Sequence, residues 1–136
     1  MKKQKVTGSE AVRDPRSACP ITQTLDIIGD RWTLLVIRDL FMGKETYGQL
    51  LDSPEGIPTN ILADRLKRLE RHGIVSRQPY QERPVRYAYR LTEKGQALGT
   101  ALTAVIQWGL TWLPGTRLPS QIVLREDGKV TLAPKE

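Results

Sequence analysis

The chain has 136 residues, a formal net charge of +6 and a charged fraction of 26%, which predicts one domain with its own core and implies no enzyme-sized cleft. No apolar stretch approaches the roughly 18 residues of a membrane-spanning helix, and the first ten residues lack the apolar segment of a signal peptide, so we expect a cytoplasmic protein without a membrane partner. The single cysteine, Cys19, excludes an internal disulfide and a cysteine-based zinc site, and it fits a reducing compartment.

The first part of the chain is predicted to contain a flexible arm followed by two helices. Residues 1–17 are polar and basic, as is typical of a flexible arm, and an ordered domain is expected over residues 18–114. Residues 22–28 are predicted to form a short helix that ends at Gly29. Asp30 can cap a second helix over residues 32–42. Most sides of that helix are apolar, which predicts a position at the centre of a small core.

A helix-turn-helix is predicted next. Thr46 precedes a short helix, YGQLLDS, and the turn PEGIP leads into a longer one, IPTNILADRLKRLERHGIV. In the longer helix Leu62, Leu66 and Leu69 share one stripe, which indicates a buried face, and Gly73 supplies the end. Two helices joined by such a glycine-containing turn are typical of a helix-turn-helix, whose second helix is the recognition helix.

The opposite face of this recognition helix is polar and basic. It presents Asn60, Asp64, Lys67 and Arg71, with Arg68 beside them. Between positions 58 and 90 the chain has eight cationic and three acidic side chains, whereas positions 19–57 have three cationic and six acidic ones. This distribution suits a polyanionic partner such as a DNA groove. Taken alone, a surface helix with solvated charges is the commoner explanation.

The segment after the recognition helix favours the DNA interpretation. Residues 75–78 and 85–91 are predicted to be antiparallel strands, because apolar and polar side chains alternate in the second, with residues 80–84 as the connecting loop. A helix followed by a basic hairpin is a winged helix. The predicted fold class is therefore α+β, mainly α, with a winged helix-turn-helix.

The C-terminal part is predicted to contain one long helix and a hairpin. The helix begins near Thr92 and runs to Pro114 with a broad apolar face, which is more apolar surface than one small domain needs, so part of it should contact a partner. Residues 115–136 form an extension in which two short strands flank an Asp-Gly turn. A lone hairpin is marginally stable in water, so this one is expected to dock on another surface.

These segments together resemble the HxlR-type winged helix-turn-helix transcriptional regulators of bacteria, a MarR-like group. The resemblance covers about residues 19–109 and is carried by CPITQTLDIIGDRWTLLVIRDLFMG, GIPTNILADRLKRLERHGIV, RPVRYAYRLTEKG and QWG. It implies a homodimer formed by the terminal helices, bound to double-stranded DNA at a short operator of two-fold symmetry. The recognition helix would enter the major groove, and Arg86 would reach the backbone or the minor groove. The family's usual wing carboxylate is absent here, because Ala88 stands in its place.

The candidate DNA-binding residues have different expected roles. Asn60, and similarly Thr59, can either contact a base edge or cap the helix. Lys67, Arg68 and Arg71 lie further along the helix and suit phosphate contacts, whereas Asp64 can accept a hydrogen bond from cytosine. Arg65 can instead pair with a carboxylate at the edge of the core. The full set of candidates is Thr59, Asn60, Asp64, Lys67, Arg68, Arg71, Arg83 and Arg86.

Cys19 is the candidate chemical sensor. A thiolate beside a helix start can be stabilised, and the resemblance suggests thiol modification or an intersubunit disulfide at this position. The alternative is a small buried side chain at the dimer interface. The sequence contains no catalytic constellation, so we expect no enzyme, cofactor or metal site.

The sequence therefore predicts a DNA-binding regulator that represses or activates by occupying promoter DNA. Oxidants, electrophiles and small ligands are all candidate effectors, and its residues do not identify which. The alternative is a winged-helix module that binds another protein and has no sequence-specific contact with DNA.

Overall fold

The computed structural model describes residues 16–126 and 130–132. It is mainly helical with a small antiparallel wing, as the sequence predicted. Almost all of the predicted N-terminal arm lies outside the described residues. The elements, in chain order, are α1 (Pro20–Ile28), α2 (Thr33–Phe41), α3 (Tyr47–Leu51), α4 (Thr59–Arg71), β1 (Val75–Glu82), β2 (Val85–Leu91), α5 (Glu93–Ala97), α6 (Gly99–Trp112), β3 (Ile122–Leu124) and β4 (Val130–Leu132).

One hydrophobic core lies between α2 and the helix-turn-helix. Ile37 of α2 and Leu62 of α4 have no exposed surface, and Leu66 and Leu69 are buried in the same cluster. The predicted apolar stripe of the recognition helix is thus confirmed. The burial also fixes which face of α4 points outward, because the polar positions must lie on the opposite side.

The helix-turn-helix consists of α3 and α4. The Thr46 side chain accepts a hydrogen bond from the Gln49 backbone N–H, and the Gln49 side chain accepts from the Thr46 backbone N–H, which forms a capping box at the start of α3. Gly56, in the connecting turn, has a φ of 73°, a conformation that glycine adopts without strain. The turn therefore forms where the sequence predicted it.

The first wing strand is longer than predicted, whereas the second, β2, has the predicted bounds. β1 continues to Glu82 and pairs with β2 in antiparallel register, so the expected loop over residues 80–84 shrinks to a turn at Arg83 and Pro84. The register shifts between Pro79 and Gln81. Proline has no N–H to donate, and a bulge lets the strand continue past it.

The prediction of a single long helix from Thr92 was wrong, because the structure has two helices there, α5 and α6. At Leu98 the backbone N–H bonds to the Gly95 carbonyl, three residues back, which ends α5. α6 then begins at Gly99, and its start approaches Phe41 so closely that a Cβ at Gly99 would lie 3.3 Å from that ring.

The predicted C-terminal hairpin is present as two strands, since β3 pairs with β4 in antiparallel register. The predicted turn at Asp127 and Gly128 lies outside the described residues. Ile122 of β3 is 7% exposed, so this apolar side chain is buried. Within the described ranges, no helix is both long enough and apolar enough to cross a bilayer.

Candidate DNA-binding surface

The exposed start of α4 is the centre of the candidate site. Pro58 occupies the N-cap position with extended backbone, φ −65° and ψ 147°, and no side chain caps this helix start. The capping alternative for Thr59 and Asn60 is therefore not what the structure shows. Both side chains are exposed in the first turn. They lie where free backbone N–H groups and the positive end of the helix dipole would meet an anion or a base edge.

Tyr47 fixes this helix start, a role that its place in the sequence did not predict. Its hydroxyl, at the beginning of α3, donates a 2.6 Å hydrogen bond to the Thr59 carbonyl oxygen. The bond ties the two helices of the helix-turn-helix together at the first turn of α4. The signal in the sequence was weak, because a tyrosine at the start of a short helix is usually explained by packing alone.

Exposed cations extend the surface along α4 and into the wing. Lys67 and Arg71 are four residues apart, so they share one face of the helix, and Arg83 and Arg86 are exposed at the wing turn and the start of β2. Among the residues that the structure describes, no carboxylate lies within ion-pair distance of these four side chains. Their charge is available to phosphates.

Asp64 and Arg65 form part of a charge network rather than an open pair. The Arg65 Nε atom lies 2.8 Å from Asp30 Oδ2, and its Nη1 atom contacts the Asp64 carboxylate. The prediction that Arg65 pairs with a carboxylate at the edge of the core is confirmed. Because Arg65 offsets the charge of Asp64, this carboxylate repels an approaching phosphate less than a lone one would.

Asp30 has a larger role than the helix cap that the sequence suggested. Its carboxylate accepts hydrogen bonds from the Trp32 and Thr33 backbone N–H groups at 3.0 and 3.2 Å, and it also contacts the Thr33 hydroxyl. Burial raises the pKa of this carboxyl, but the hydrogen bonds from Arg65, Thr33 and Trp32 outweigh burial and hold the pKa well below its usual range. Asp30 therefore joins the start of α2 to α4.

Arg68 lies on the α1 side of the recognition helix. Its Nη2 atom donates to the carbonyl oxygens of Asp26 at 3.1 Å and Ile27 at 3.4 Å, both in the last turn of α1. A cation at this end of a helix satisfies free carbonyls and complements the helix dipole. The predicted phosphate contact of Arg68 stays a prediction, and the structure shows this side chain already bonded.

Two wing arginines also have internal partners. Arg77 lies 4.1 Å from the centre of the Tyr87 ring and 3.3 Å from Glu70. Arg90 lies 3.4 Å from Glu45. These contacts link the wing strands to α4 and to the segment before α3, so they hold the wing beside the recognition helix.

Cys19 occupies the N-cap position of α1 and is exposed. The backbone N–H groups of Thr22 and Ile21, at the start of the helix, lower the pKa of its thiol. This is the direction expected for a thiol beside a helix start, and the sensor role of Cys19 stays a prediction. The alternative, a small side chain buried at the dimer interface, also stays a prediction, because exposure in the single chain does not test it.

Two helices leave apolar side chains uncovered. Ile21 and Leu25 of α1 are 69% and 51% exposed, and Trp108 and Trp112 of α6 are 60% and 68% exposed. No residue of α1 is buried. Side chains of this size seldom remain in water in such number on a monomer, so both faces have the character of a contact surface.

Comparison with known proteins agrees with this architecture. An uncharacterized HTH-type transcriptional regulator of Synechocystis sp. is 42% identical over 95 residues, which are 70% of each chain. The reduced form of the transcriptional regulator YodB from Bacillus subtilis matches with a TM-score of 0.60 and 32% identity, over 74% of this chain and 100% of YodB. The redox regulator HypR in its reduced form matches with a TM-score of 0.63 and 30% identity, over 68% of this chain and 92% of HypR.

The family assignment covers the whole winged unit. Some relatives are longer, since the chain spans 59% of the length of a Mycobacterium tuberculosis regulator that it matches. Residues 27–117 match the HxlR-like helix-turn-helix family, which includes α2, the helix-turn-helix, the wing and α6. The chain belongs to the HxlR-like helix-turn-helix family of transcriptional regulators.

Proposed function

We propose that the protein is a homodimer that binds a two-fold symmetric operator in promoter DNA and represses or activates transcription by occupying it. The observation that carries the proposal is the uncapped, exposed start of α4, flanked by cations that have no acidic partner among the described residues. Asn60 would contact a base edge in the major groove, since an amide can pair with adenine through two hydrogen bonds. Because promoter DNA lies in the bacterial cytoplasm, the proposal implies a cytoplasmic protein.

The cations supply affinity, and the first turn of α4 supplies specificity. Lys67 and Arg71 lie further along α4 and would contact phosphates of the DNA backbone. Arg86 of the wing would contact the adjoining minor groove or backbone. Each phosphate contact adds about 0.9 to the slope of log K against log salt concentration. Asp64 has a smaller proposed role, because its charge is shared with Arg65. Thr59 and Arg83 complete the surface at the helix start and the wing tip.

The homodimer would form through α1 and α6. Both helices have exposed apolar side chains, Ile21 and Leu25 on α1 and Trp108 and Trp112 on α6. Replacing both tryptophans with serine should convert a dimer into a monomer in sedimentation equilibrium. Replacing Tyr80, an exposed wing aromatic, with serine should leave the dimer intact. A monomeric wild-type protein at micromolar concentration would contradict this interface.

The first experiment is selection of bound duplexes from a random pool at near-physiological salt. We expect enrichment of one site with two-fold symmetry. Asn60→Ala should then lose preference for the selected site over random DNA, whereas Lys67→Ala should weaken binding to both equally. If no sequence is enriched, the regulator does not recognise sequence by itself, and the alternative of a protein-binding winged module becomes the better explanation.

A thiol response at Cys19 is a second candidate function, favoured by its exposure and its lowered pKa. Two Cys19 thiols, one from each protomer, would form a disulfide while an oxidant such as diamide takes up their two electrons and two protons. Diamide should then link wild-type protomers covalently and change operator affinity, and Cys19→Ser should do neither. Equal affinity of the wild-type protein with and without diamide would exclude this sensor.

A further inference from the structure

Two arginines connect the recognition helix to the segment that carries α1. Arg65 bonds to Asp30, just after the end of α1, with an Nε–Oδ2 distance of 2.8 Å. Arg68 donates to the Asp26 and Ile27 carbonyl oxygens in the last turn of α1, at 3.1 and 3.4 Å. Both guanidinium groups lie on the same side of α4, because residues three apart are neighbours on a helix surface.

We propose that Arg65 and Arg68 are positioning residues that set the orientation of α4 relative to α1, and through it the distance between the two recognition helices of the dimer. The proposal rests on the proposed function. It assigns Arg68 a role other than the phosphate contact that its sequence position suggested. The apolar face of α4 buries Leu62, Leu66 and Leu69, but apolar burial has no direction, whereas hydrogen bonds fix an angle.

The position of α1 links the Arg65 and Arg68 contacts to the dimer interface. The exposed Ile21 and Leu25 of α1 belong to the face that we assign to the dimer contact, and the carbonyls that hold Arg68 belong to the same short helix. In a dimer with two-fold symmetry, any change in the angle between α1 and α4 is repeated in both protomers. The half-site spacing that the dimer accepts is therefore sensitive to this angle.

Helix geometry gives the size of the effect. α4 has 13 residues, so it is about 20 Å long at about 1.5 Å per residue. A tilt of about 5° about its C-terminal end moves its first turn by about 1.7 Å, and the same movement in the partner protomer brings the change in separation to about 3.4 Å, the rise of one base pair along one strand. Loss of the Arg68 hydrogen bonds leaves this angle less fixed, so the dimer should then also bind half-sites whose spacing differs from the native one by one base pair.

Arg71 provides a matched control on the same helix. It is the same residue type, three positions further on, and it is exposed without an acidic partner in the described ranges. The test uses the full-length protein and duplexes in which the two half-sites selected by the wild-type protein are separated by the native spacer or by spacers one base pair shorter or longer. Affinity is measured for each duplex over a range of salt concentrations.

Arg68→Ala should bind the native spacer and its neighbours with nearly equal affinity, where the wild-type protein prefers the native spacer by about tenfold, and its salt slope should match the wild type. Arg71→Ala should keep the tenfold preference and lose about 0.9 of slope per protomer. Arg68→Lys, which keeps the charge but lacks the planar fork, should keep the wild-type slope and recover only part of the spacer preference.

Several outcomes would overturn the positioning role of Arg68. If Arg68→Ala keeps the spacer preference and loses slope as Arg71→Ala does, Arg68 is a phosphate contact and the positioning role is wrong. An Arg68→Ala protein that equals the wild type in both measurements also overturns the proposal. Should Arg68→Ala fail to fold, full recovery of the spacer preference by Arg68→Lys would count against it. Failure of the wild-type protein to select any symmetric site would instead refute the proposed function itself.

Discussion

Replacing Asp30 with asparagine should destabilise the fold far more than the same substitution at Asp26, four residues earlier. Both aspartates form an ion pair with an arginine through one 2.8 to 2.9 Å contact. At Asp26 the partner is Arg16, and the two side chains are 41% and 66% exposed. At Asp30 the partner is Arg65, and the side chains are only 23% and 19% exposed. The two sites therefore differ in burial and in the capping hydrogen bonds that Asp30 accepts from Trp32 and Thr33.

The magnitudes follow from these environments. A hydrogen bond to a charged group contributes about 1.5 to 3 kcal/mol when solvent is largely excluded. The loss of helix-capping bonds costs about 1 kcal/mol. Asparagine keeps one oxygen for capping but loses the charge, so Asp30→Asn should cost about 2 kcal/mol and Asp30→Ala about 3 kcal/mol. Asp26→Asn should cost less than about 0.5 kcal/mol, as exposed ion pairs usually do.

Urea unfolding at one fixed protein concentration measures these differences, because the stability of a dimer depends on concentration. For a small domain, about 2 kcal/mol corresponds to a midpoint lowered by about 1 M urea. The folded-state pKa of Asp30 is depressed, so its stabilising contribution is present above the ordinary carboxyl pKa and is lost as pH falls toward the lower folded value. The difference between wild type and Asp30→Asn should therefore shrink below about pH 4. Equal midpoints for Asp26→Asn and Asp30→Asn at pH 7 would refute the reasoning.

Two further substitutions test the packing and the charge network elsewhere. Gly95→Ala should destabilise the protein by more than about 2 kcal/mol, because its Cβ would clash with the Ile74 carbonyl oxygen, whereas Gly48→Ala, with nothing within 4 Å of its Cβ, should be neutral or stabilising by up to about 1 kcal/mol in thermal unfolding. Glu55→Gln should cost about 1 kcal/mol at pH 7, since Arg38 donates to both carboxylate oxygens at 2.8 and 2.9 Å but the site is partly exposed. Those bonds lower the pKa of Glu55 to about 2, so the wild-type advantage over Glu55→Gln should disappear between about pH 4.5 and pH 2, and an advantage that persists at pH 2 would contradict this assignment.

The main elements of the fold could be predicted because each has a local cause. Leu62, Leu66 and Leu69 recur at the helical period, and the structure buries all three. Thr46 followed by Gln49 at the third position has the form of a capping box, and both of its bonds are present. Alternation in β2 predicted a strand, and its apolar positions Tyr89 and Leu91 pack against the core.

The errors arose where distant contacts decide the outcome. The predicted terminal helix is interrupted at Leu98, and the next residue, Gly99, lies against Phe41 of α2. No periodicity within the helix indicates this neighbour, 58 positions away in the sequence. β1 passes Pro79 through a register shift that only its pairing with β2 defines. Local pattern predicts that an element exists, while its ends depend on what packs against it.

Distant contacts also decide which charges of the DNA-binding surface are available to DNA. The sequence places eight cationic residues between positions 58 and 90, but it does not show which of them form bonds within the fold. Four have internal partners: Arg65 with Asp30, Arg68 with the carbonyls of α1, Arg77 with Glu70, and Arg90 with Glu45. These bonds orient α4 and the wing. The other four, Lys67, Arg71, Arg83 and Arg86, are exposed and have no carboxylate partner in the described ranges.

This division makes the two sets separable by experiment. Substitution of an internally bonded cation should alter stability or the geometry of recognition while the number of phosphates neutralised stays the same. Substitution of an exposed cation should reduce the salt dependence of binding by about 0.9 per contact and leave stability nearly unchanged. If every basic residue contributed equally to stability and to the salt dependence of binding, the net charge alone, and not its arrangement, would attract the DNA.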